Sequence, residues 1–390
     1  MPVGTYVCWP RKVVSGAGAV KEVGKIIKEM GRSNVIVFTD RTIKNFSMVK
    51  DLLVTLKSEG LSANLFGEIG PNPVEEMVHN AGDYMKKVKP DGIVCFGGGS
   101  PIDTGKAANV VYTHGGTVND YDIAIGGIMK IDGSKLLPLI AIPTTAGTGT
   151  EVTFVGVITD TKKQTKFGVL SPVMIPDVSV LDPEVTQSMP PSLTAFTGID
   201  ALTHCIEAYT SIVGFPPADA LAIHGIRMIS RSLRKAVQDG NDLKAREEML
   251  VASMMAGTAF SLNGLGACHA MAHQLSAFFD MPHGLANAIL LPRIMKFNLP
   301  AQTQKFADIA EAMDADIKNL SVDETAEKAV EMVEKLCEDV GVPKYLDDAG
   351  GTKDKIPELV KRALLDNPIT TNPRPCKAED VEKLYLESFK

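Results

Sequence analysis

From Asn34 onward, short runs of β-branched and apolar residues alternate with amphipathic helical stretches, and this alternation stops after Leu181-Asp182-Pro183. Asn34–Asp40 (NVIVFTD) reads as a buried strand that ends at a polar turn. Ser47–Gly60 follows as a helix, Ser62–Phe66 as a strand, and Val74–Lys89 as a helix with Glu75 and Glu76 in its first turn, where the helix dipole favours anions. Asp91–Phe96 is a third strand running into Gly97-Gly98-Gly99, and Pro138–Pro143 is a further strand ending in TTAGTGT. Strands separated by helices predict an α/β layer with a parallel sheet covered on both faces.

Past the prolines at 183, 190 and 191 the period changes. Ser192–Thr210, Ala218–Ala236, Leu243–Leu262, Ala267–Phe279, Thr303–Met313, Asp323–Val340 and Asp380–Phe389 all read as helices, with Ser192 and Asp323 as expected N-caps. The expectation is two domains, residues 1–185 as α/β and residues 186–390 as all-helical. The length of 390 residues fits that count.

Composition narrows the function classes. With 45% hydrophobic and 22% charged residues the chain can build large cores. A net charge of −7 argues against a nucleic-acid binder, which presents a basic face. No apolar run approaches a membrane span, and the start MPVGTYVCWPRK lacks a signal-peptide core, so a cytoplasmic protein is expected. The six cysteines form no CxxC and suggest neither a disulfide framework nor a zinc knuckle.

Gly97-Gly98-Gly99-Ser100-Pro101 lies between a strand and a helix. Glycines there let backbone approach an anion, and the helix start offers unpaired N–H groups and a positive dipole end. This is the context of a pyrophosphate site. It is not a common fingerprint: Ile102 takes the third glycine position of GxGxxG, and Ala107 follows Lys106 where a Walker A loop needs Ser or Thr. Asp40 ends a strand, where a carboxylate can accept both hydroxyls of an adenosine ribose and repel a 2′-phosphate, which points to NAD over NADP. The loop Thr144-Thr145-Ala146-Gly147-Thr148-Gly149-Thr150 supplies hydroxyls and flexible backbone for phosphate or ribose.

Asp200 and His204 are four apart, as are His269 and His273, so each pair shares one helix face. His283 follows between helix breakers in MPHG. A carboxylate with several imidazoles suits Fe, Zn, Co or Ni. Spacing alone leaves open which of the five groups bind and whether the pairs meet. His79, His114 and His224 carry no such pattern.

Together, GGGSPIDTGKA, IPTTAGTGTE, LDPEVTQSMPPSLTAFTGIDALTHCIEAY and HAMAHQLSAFFDMPHGLANAILLP resemble the iron-containing (group III) alcohol dehydrogenase family over essentially the whole chain. The resemblance implies a Rossmann-like NAD-binding domain, an all-α metal domain of the dehydroquinate synthase-like kind, and a substrate cleft between them. It implies Asp200, His204, His269 and His283 as metal ligands and His273 as a non-ligand catalytic histidine. The cofactor residues it implies are Asp40, Asn72, Gly97, Gly98, Gly99, Ser100, Asp103, Thr144, Thr145, Gly147, Thr148, Val157 and Lys166, with Thr186 as a weaker adenine contact. Thr150 and Cys205 depart from the usual serine and alanine without removing a ligand.

The implied reaction is reversible hydride transfer between a small primary alcohol or diol and NAD, with a divalent metal, Fe(II) or Zn(II), as Lewis acid. A homodimer or larger homo-oligomer is expected, with residues 1–15 as an edge strand able to pair across a two-fold axis. Two rivals share these features: a glycerol dehydrogenase or dehydroquinate synthase-like enzyme, and a non-catalytic metal- or nucleotide-binding protein.

Overall fold

In a computed structural model of the chain, described for residues 9–163 and 165–390, two compact units are present. One comprises the described residues up to Thr145 together with Thr150–Ser188; the other comprises Ala146–Gly149 and Met189–Lys390.

The first unit holds, in chain order, β1 (Lys12–Ser15), α1 (Val23–Glu29), β2 (Asn34–Asp40), α2 (Ser47–Ser58), β3 (Ser62–Ile69), α3 (Glu75–Val88), β4 (Gly92–Gly97), α4 (Gly99–His114), β5 (Leu139–Pro143), β6 (Val155–Asp160), β7 (Thr165–Leu170) and β8 (Val178–Leu181). Six strands form one parallel sheet in the order β1-β8-β5-β4-β2-β3. Alternate residues serve opposite faces. Ile36, Phe38, Ile93, Cys95 and Ala141 meet Val78, Met85, Ile102 and Val110 of α3 and α4 on one face. Val35, Val37, Val94, Phe96, Ile140 and Ile142 meet Val23, Ile27, Val49, Leu52 and Leu56 of α1 and α2 on the other. The sheet is therefore apolar on both sides, which explains why its strands read as unbroken hydrophobic runs.

Strand order reverses between β2 and β4: β3 lies beyond β2 on one side, and β5 lies beyond β4 on the other. Ligands of open α/β sheets bind at the carboxyl ends of strands at such a switch point. Asp40 ends β2 and Gly97 ends β4, so the sheet itself brings these two sequence-predicted residues together.

Three strands escaped the sequence reading. β6 and β7 form a separate antiparallel hairpin, and β8 is a four-residue strand, VSVL, too short to stand out. The expected edge strand at residues 1–15 survives as β1, which pairs in parallel with β8 of its own sheet; residues 1–8 lie outside the described residues.

The second unit consists of α5 (Pro191–Thr210), α6 (Pro216–Gln238), α7 (Leu243–Asn263), α8 (Ala267–Phe279), α9 (His283–Asn298), α10 (Thr303–Ala312), α11 (Val322–Asp339), α12 (Ile356–Ala363) and α13 (Ala378–Glu387), joined by loops and short 3₁₀ turns. The expected caps are displaced. α5 starts from Pro190 with Pro191 in its first turn, so Ser192 is already helical. α11 is capped by Ser321, whose hydroxyl and the Glu324 carboxylate form a capping box, and Asp323 instead supplies first-turn charge.

α9 was hidden because Pro282 precedes it and Pro292 interrupts it. Pro282 is harmless outside the helix. Pro292 lacks the N–H that would bond the Ala288 carbonyl, and the Cys337 thiol faces that oxygen at 3.9 Å instead. His283 is thereby the first residue of a helix rather than a loop residue. No single helix among the described residues is long and apolar enough to cross a membrane.

Candidate metal and cofactor sites

α5 carries Asp200, His204 and Glu207 at i, i+4 and i+7, one face over two turns. α8 carries His269 and His273, and α9 presents His283 at its first turn and Asn287 one turn later. Packing of these three helices brings the polar groups into one cluster within otherwise apolar surroundings. Asp200, His204, His269, Glu207 and Asn287 are all at most 4% exposed.

Asp200 Oδ1 lies 3.8 Å from His269 Nε2 and 3.5 Å from His283 Nε2. His204 Nδ1 lies 3.9 Å from Asp200 Oδ2 and its ring is 4.4 Å from that of His269, centroid to centroid. Tetrahedral coordination with bonds of about 2.1 Å needs donors roughly 3.4 Å apart. The observed separations match that spacing closely, and the donor atoms of Asp200, His269 and His283 all fall within 4.8 Å of one another.

Two further observations fit a cation. The Asn287 side-chain amide points one nitrogen at all three acceptors, 2.8 Å from Asp200 Oδ1 and 3.2 Å from each of His269 Nε2 and His283 Nε2. Their lone pairs therefore converge on a common point that calls for positive charge. In addition, His204 Nδ1 is buried without a hydrogen-bond partner.

Burial keeps these imidazoles neutral, the form that ligates metal. The His204 pKa falls to about 3, chiefly through burial, with Asp200 opposing. Burial likewise drives His269 well below the ordinary histidine range. Phe260 stacks on His204 at 4.6 Å and closes one side of the cluster.

His273 is set apart. At 19% of its side chain it is more exposed than His204 and His269, though less than His283 at 25%, and its ring stacks on His283 at 5.3 Å. Its Nδ1 donates to Asp366 Oδ2 at 2.8 Å, which leaves Nε2 as the basic nitrogen. Glu207, Asn287 and Asp366 were missed by sequence reading. Glu207 continues the Asp200/His204 face by one more turn and could have been noticed; Asp366, 93 residues from its partner, could not.

In the first unit, the α4 start carries the glycine turn. A Cβ on Gly97 would sit 2.6 Å from Pro101 Cγ, and one on Gly98 would sit 3.2 Å from Thr145 Oγ1, so side chains there would fill the concavity above the helix N-terminus. Gly98 is the N-cap, and Gly99 and Ser100 open the helix. Asp40 Oδ1 accepts from the backbone N–H groups of Thr42 and Ile43, and its Oδ2 faces Gly97. Thr144 donates its N–H to the Gly97 carbonyl at 3.0 Å.

Asn72, Val157 and Lys166 gather at the β6–β7 hairpin. Lys166 Nζ donates to Asn72 Oδ1 at 3.3 Å, and Val157 lies two residues before Thr159, the residue paired with Lys166. Asp103 faces inward instead: its carboxylate accepts from Thr150 Oγ1 and the Val157 N–H. Lys106, 1% exposed, donates to Thr150 and Thr153, backbone and hydroxyl alike, and to the Val155 carbonyl. These bonds tie the end of the TTAGTGT loop and the segment after it to α4. Thr186 is fully buried and its hydroxyl donates to the Pro183 carbonyl.

In the second unit, Gly147 and Gly149 press against helices. A Cβ on Gly147 would meet Thr197 of α5 at 2.7 Å, and one on Gly149 would meet the Gly257 backbone of α7 at 2.5 Å. Thr148 lies between them. The loop read from sequence as one cofactor element is thus apportioned by residue between the two units.

Comparison with known proteins agrees with this architecture. The family model for iron-containing alcohol dehydrogenase matches residues 10–183, and that for the C-terminal part of the Fe-containing alcohol dehydrogenase family matches residues 194–389. The chain is 41% identical to a 1,3-propanediol dehydrogenase of Citrobacter freundii over 377 residues, 96% of each chain. It superposes on a crystal structure of a 1,3-propanediol oxidoreductase with a TM-score of 0.95 and 38% identity, covering 99% of this chain and 100% of that one. A sulfoacetaldehyde reductase from Bifidobacterium kashiwanohense, solved in complex with NAD+, has a TM-score of 0.87 and 29% identity over 99% of both chains. The chain belongs to the iron-containing alcohol dehydrogenase family. It is an oxidoreductase of the alcohol dehydrogenase class, with a Rossmann-like parallel-sheet unit and an all-helical one.

Proposed function

We propose that this enzyme interconverts a small primary alcohol or diol with its aldehyde, using NAD and a divalent metal. The observation that carries the reading is the convergence of Asp200, His269 and His283 donor atoms within 4.8 Å, the first two buried and the third half-buried, with His204 beside them. One carboxylate and three imidazoles form a donor set suited to Fe(II) or Zn(II). When bound, such an ion supplies Lewis acidity, lowering the pKa of an alcohol and polarising a carbonyl.

The chain's own residues account for the rest. Asp200 contributes the negative charge that a divalent ion requires. His273, kept protonated at Nδ1 by Asp366, offers Nε2 to accept the hydroxyl proton during oxidation and to return it during reduction. Asp40 is positioned to accept ribose hydroxyls and to repel a 2′-phosphate, and the Gly97–Ser100 turn to receive a pyrophosphate on the α4 N-terminus. Lys166 and Asn72 offer a cation and an amide to the same nucleotide. The NAD-bound relative and the propanediol-active relatives support this choice of cofactor and substrate class.

The test is a panel of short alcohols, diols and aldehydes assayed with NAD(H) and NADP(H), on protein stripped of metal and reloaded with Fe(II) or Zn(II). Alcohol-dependent NADH formation that vanishes on stripping and returns on reloading is expected. A metal-free protein of full activity would refute the reading.

A further inference from the structure

The buried carboxylate of Glu207 is not among the residues expected to hold a metal, yet it makes the shortest contact of His269. Its Oε2 lies 2.6 Å from His269 Nδ1, and the ring and the carboxylate are respectively 1% and 3% exposed. The two ring nitrogens have opposite duties. Nε2 accepts from the Asn287 amide at 3.2 Å and faces Asp200, so it carries a lone pair. The proton of the neutral ring is therefore on Nδ1 and is donated to Glu207.

We infer that Glu207 is the positioning residue that fixes the orientation and tautomer of His269, so that its Nε2 lone pair is presented to a metal alongside Asp200 and His283. This rests on the metal-site reading above. Glu207 is itself immobilised. It sits seven residues after Asp200 on α5, and its other oxygen accepts the Cys268 N–H at 2.7 Å at the start of α8. One carboxylate thus locks the helix that carries His269 to the helix that carries Asp200 and His204. A ring free to rotate would present Nδ1–H to the metal in part of the population, and a protonated nitrogen cannot ligate.

A purely structural alternative is that Glu207 only caps α8. Affinity for metal separates the two. The full-length protein, stripped by a chelator, is titrated with Co(II), whose visible absorption reports the donor set. Glu207→Gln keeps the volume but removes the charge and turns one of the two oxygens, which now accept from His269 Nδ1 and the Cys268 N–H, into a donor. It is expected to weaken Co(II) binding about 10–100-fold and to alter the Co(II) spectrum. Asn372→Ala is the control. Asn372 Oδ1 accepts the neighbouring Ala267 N–H at 3.1 Å and does not touch His269. That variant is expected to melt earlier as apo-protein while binding Co(II) within about threefold of the parent.

A folded Glu207→Gln protein that binds Co(II) within about threefold of the parent overturns the inference. If that variant does not fold, Glu207→Asp, with a carboxylate one methylene short of His269, is held to the same criterion. If the unaltered protein takes up no Co(II), the metal-site reading fails and this inference with it.

Discussion

His273 Nδ1 lies 2.8 Å from Asp366 Oδ2, and the same oxygen accepts from the Gln274 side chain at 3.1 Å. The carboxylate is therefore held from two sides and in turn holds the imidazole. This pairing stands beside that of His269 with Glu207. Two histidines one turn apart on α8 each donate Nδ1–H to a carboxylate from a different element, so both present Nε2. The two rings differ in setting: one is sealed among buried donors and the other is partly open to solvent.

That difference gives the first prediction. General acid–base groups contribute about 10²–10⁴-fold to turnover. His273→Ala should lower kcat by a factor within that range while the purified protein retains its metal. Asp366→Asn should lower kcat by a smaller factor, roughly tenfold, because the imidazole remains but its orientation and basicity are no longer set. Steady-state kinetics beside metal analysis of the same samples checks both. Loss of metal in His273→Ala would mean that this ring is a ligand.

The donor set makes the opposite prediction for its own members. Asp200→Asn removes the one carboxylate among the proposed ligands, and His269→Ala or His283→Ala removes one imidazole each. All three should lose metal and activity together. Metal binding to the folded state alone adds stability by mass action, about 2.7 kcal/mol at a free concentration 100 times Kd. The parent protein should therefore melt at a lower temperature after chelation, while Asp200→Asn should show no such shift. Melting curves with and without chelator, read against metal content, test this directly.

Asp40 allows a prediction about cofactor choice. Its Oδ1 caps the turn through Thr42 and Ile43, while the charge on Oδ2 faces Gly97 at the switch point. Asp40→Asn keeps an acceptor for the turn and removes the charge. Two like charges about 4 Å apart near a surface repel by up to about 4 kcal/mol. Removing one should raise the ratio of kcat/KM for NADP to that for NAD by roughly 10–100-fold, part of the full effect being screened by solvent. An unchanged ratio would show that Asp40 only closes a turn.

Much of this was legible in the sequence, for identifiable reasons. The strands of the first unit are buried on both faces, so Asn34–Asp40 and Gly92–Gly97 appear as apolar runs of strand length. Asp200, His204, His269 and His273 reveal themselves because helical periodicity is local: a spacing of four fixes a shared face before any tertiary contact is known. What was illegible depends on distant packing. α9 reads poorly because Pro292 contradicts its helix, and only the tertiary setting, including Cys337 facing Ala288, accommodates the break. Asn287, Glu207 and Asp366 matter through the partners they reach, 18, 62 and 93 residues away. Lys106 looked like a broken nucleotide loop, whereas its ammonium is consumed by the oxygens of Thr150, Thr153 and Val155.

The last prediction concerns pH and the region around Lys106. Glu151 is 1% exposed, and its Oε1 has no hydrogen-bond partner. Burial raises its pKa from the ordinary 4.5 to about 7, against the opposing pull of Lys106. A carboxyl with a raised pKa binds its proton more tightly folded than unfolded. Its contribution to stability is therefore complete below 4.5 and is lost as pH rises through about 7. Glu151→Gln removes this one titration; the coupled group Lys106 is held near 8, above the window compared, and groups not coupled to Glu151 cancel between the two proteins. The urea midpoint of the parent should fall relative to that of Glu151→Gln between about pH 4.5 and pH 7, and the gap should then level off. Unfolding curves followed by circular dichroism at several pH values across that window provide the measurement. Midpoints that run parallel throughout would show that Glu151 titrates in the folded protein as it does in the unfolded chain.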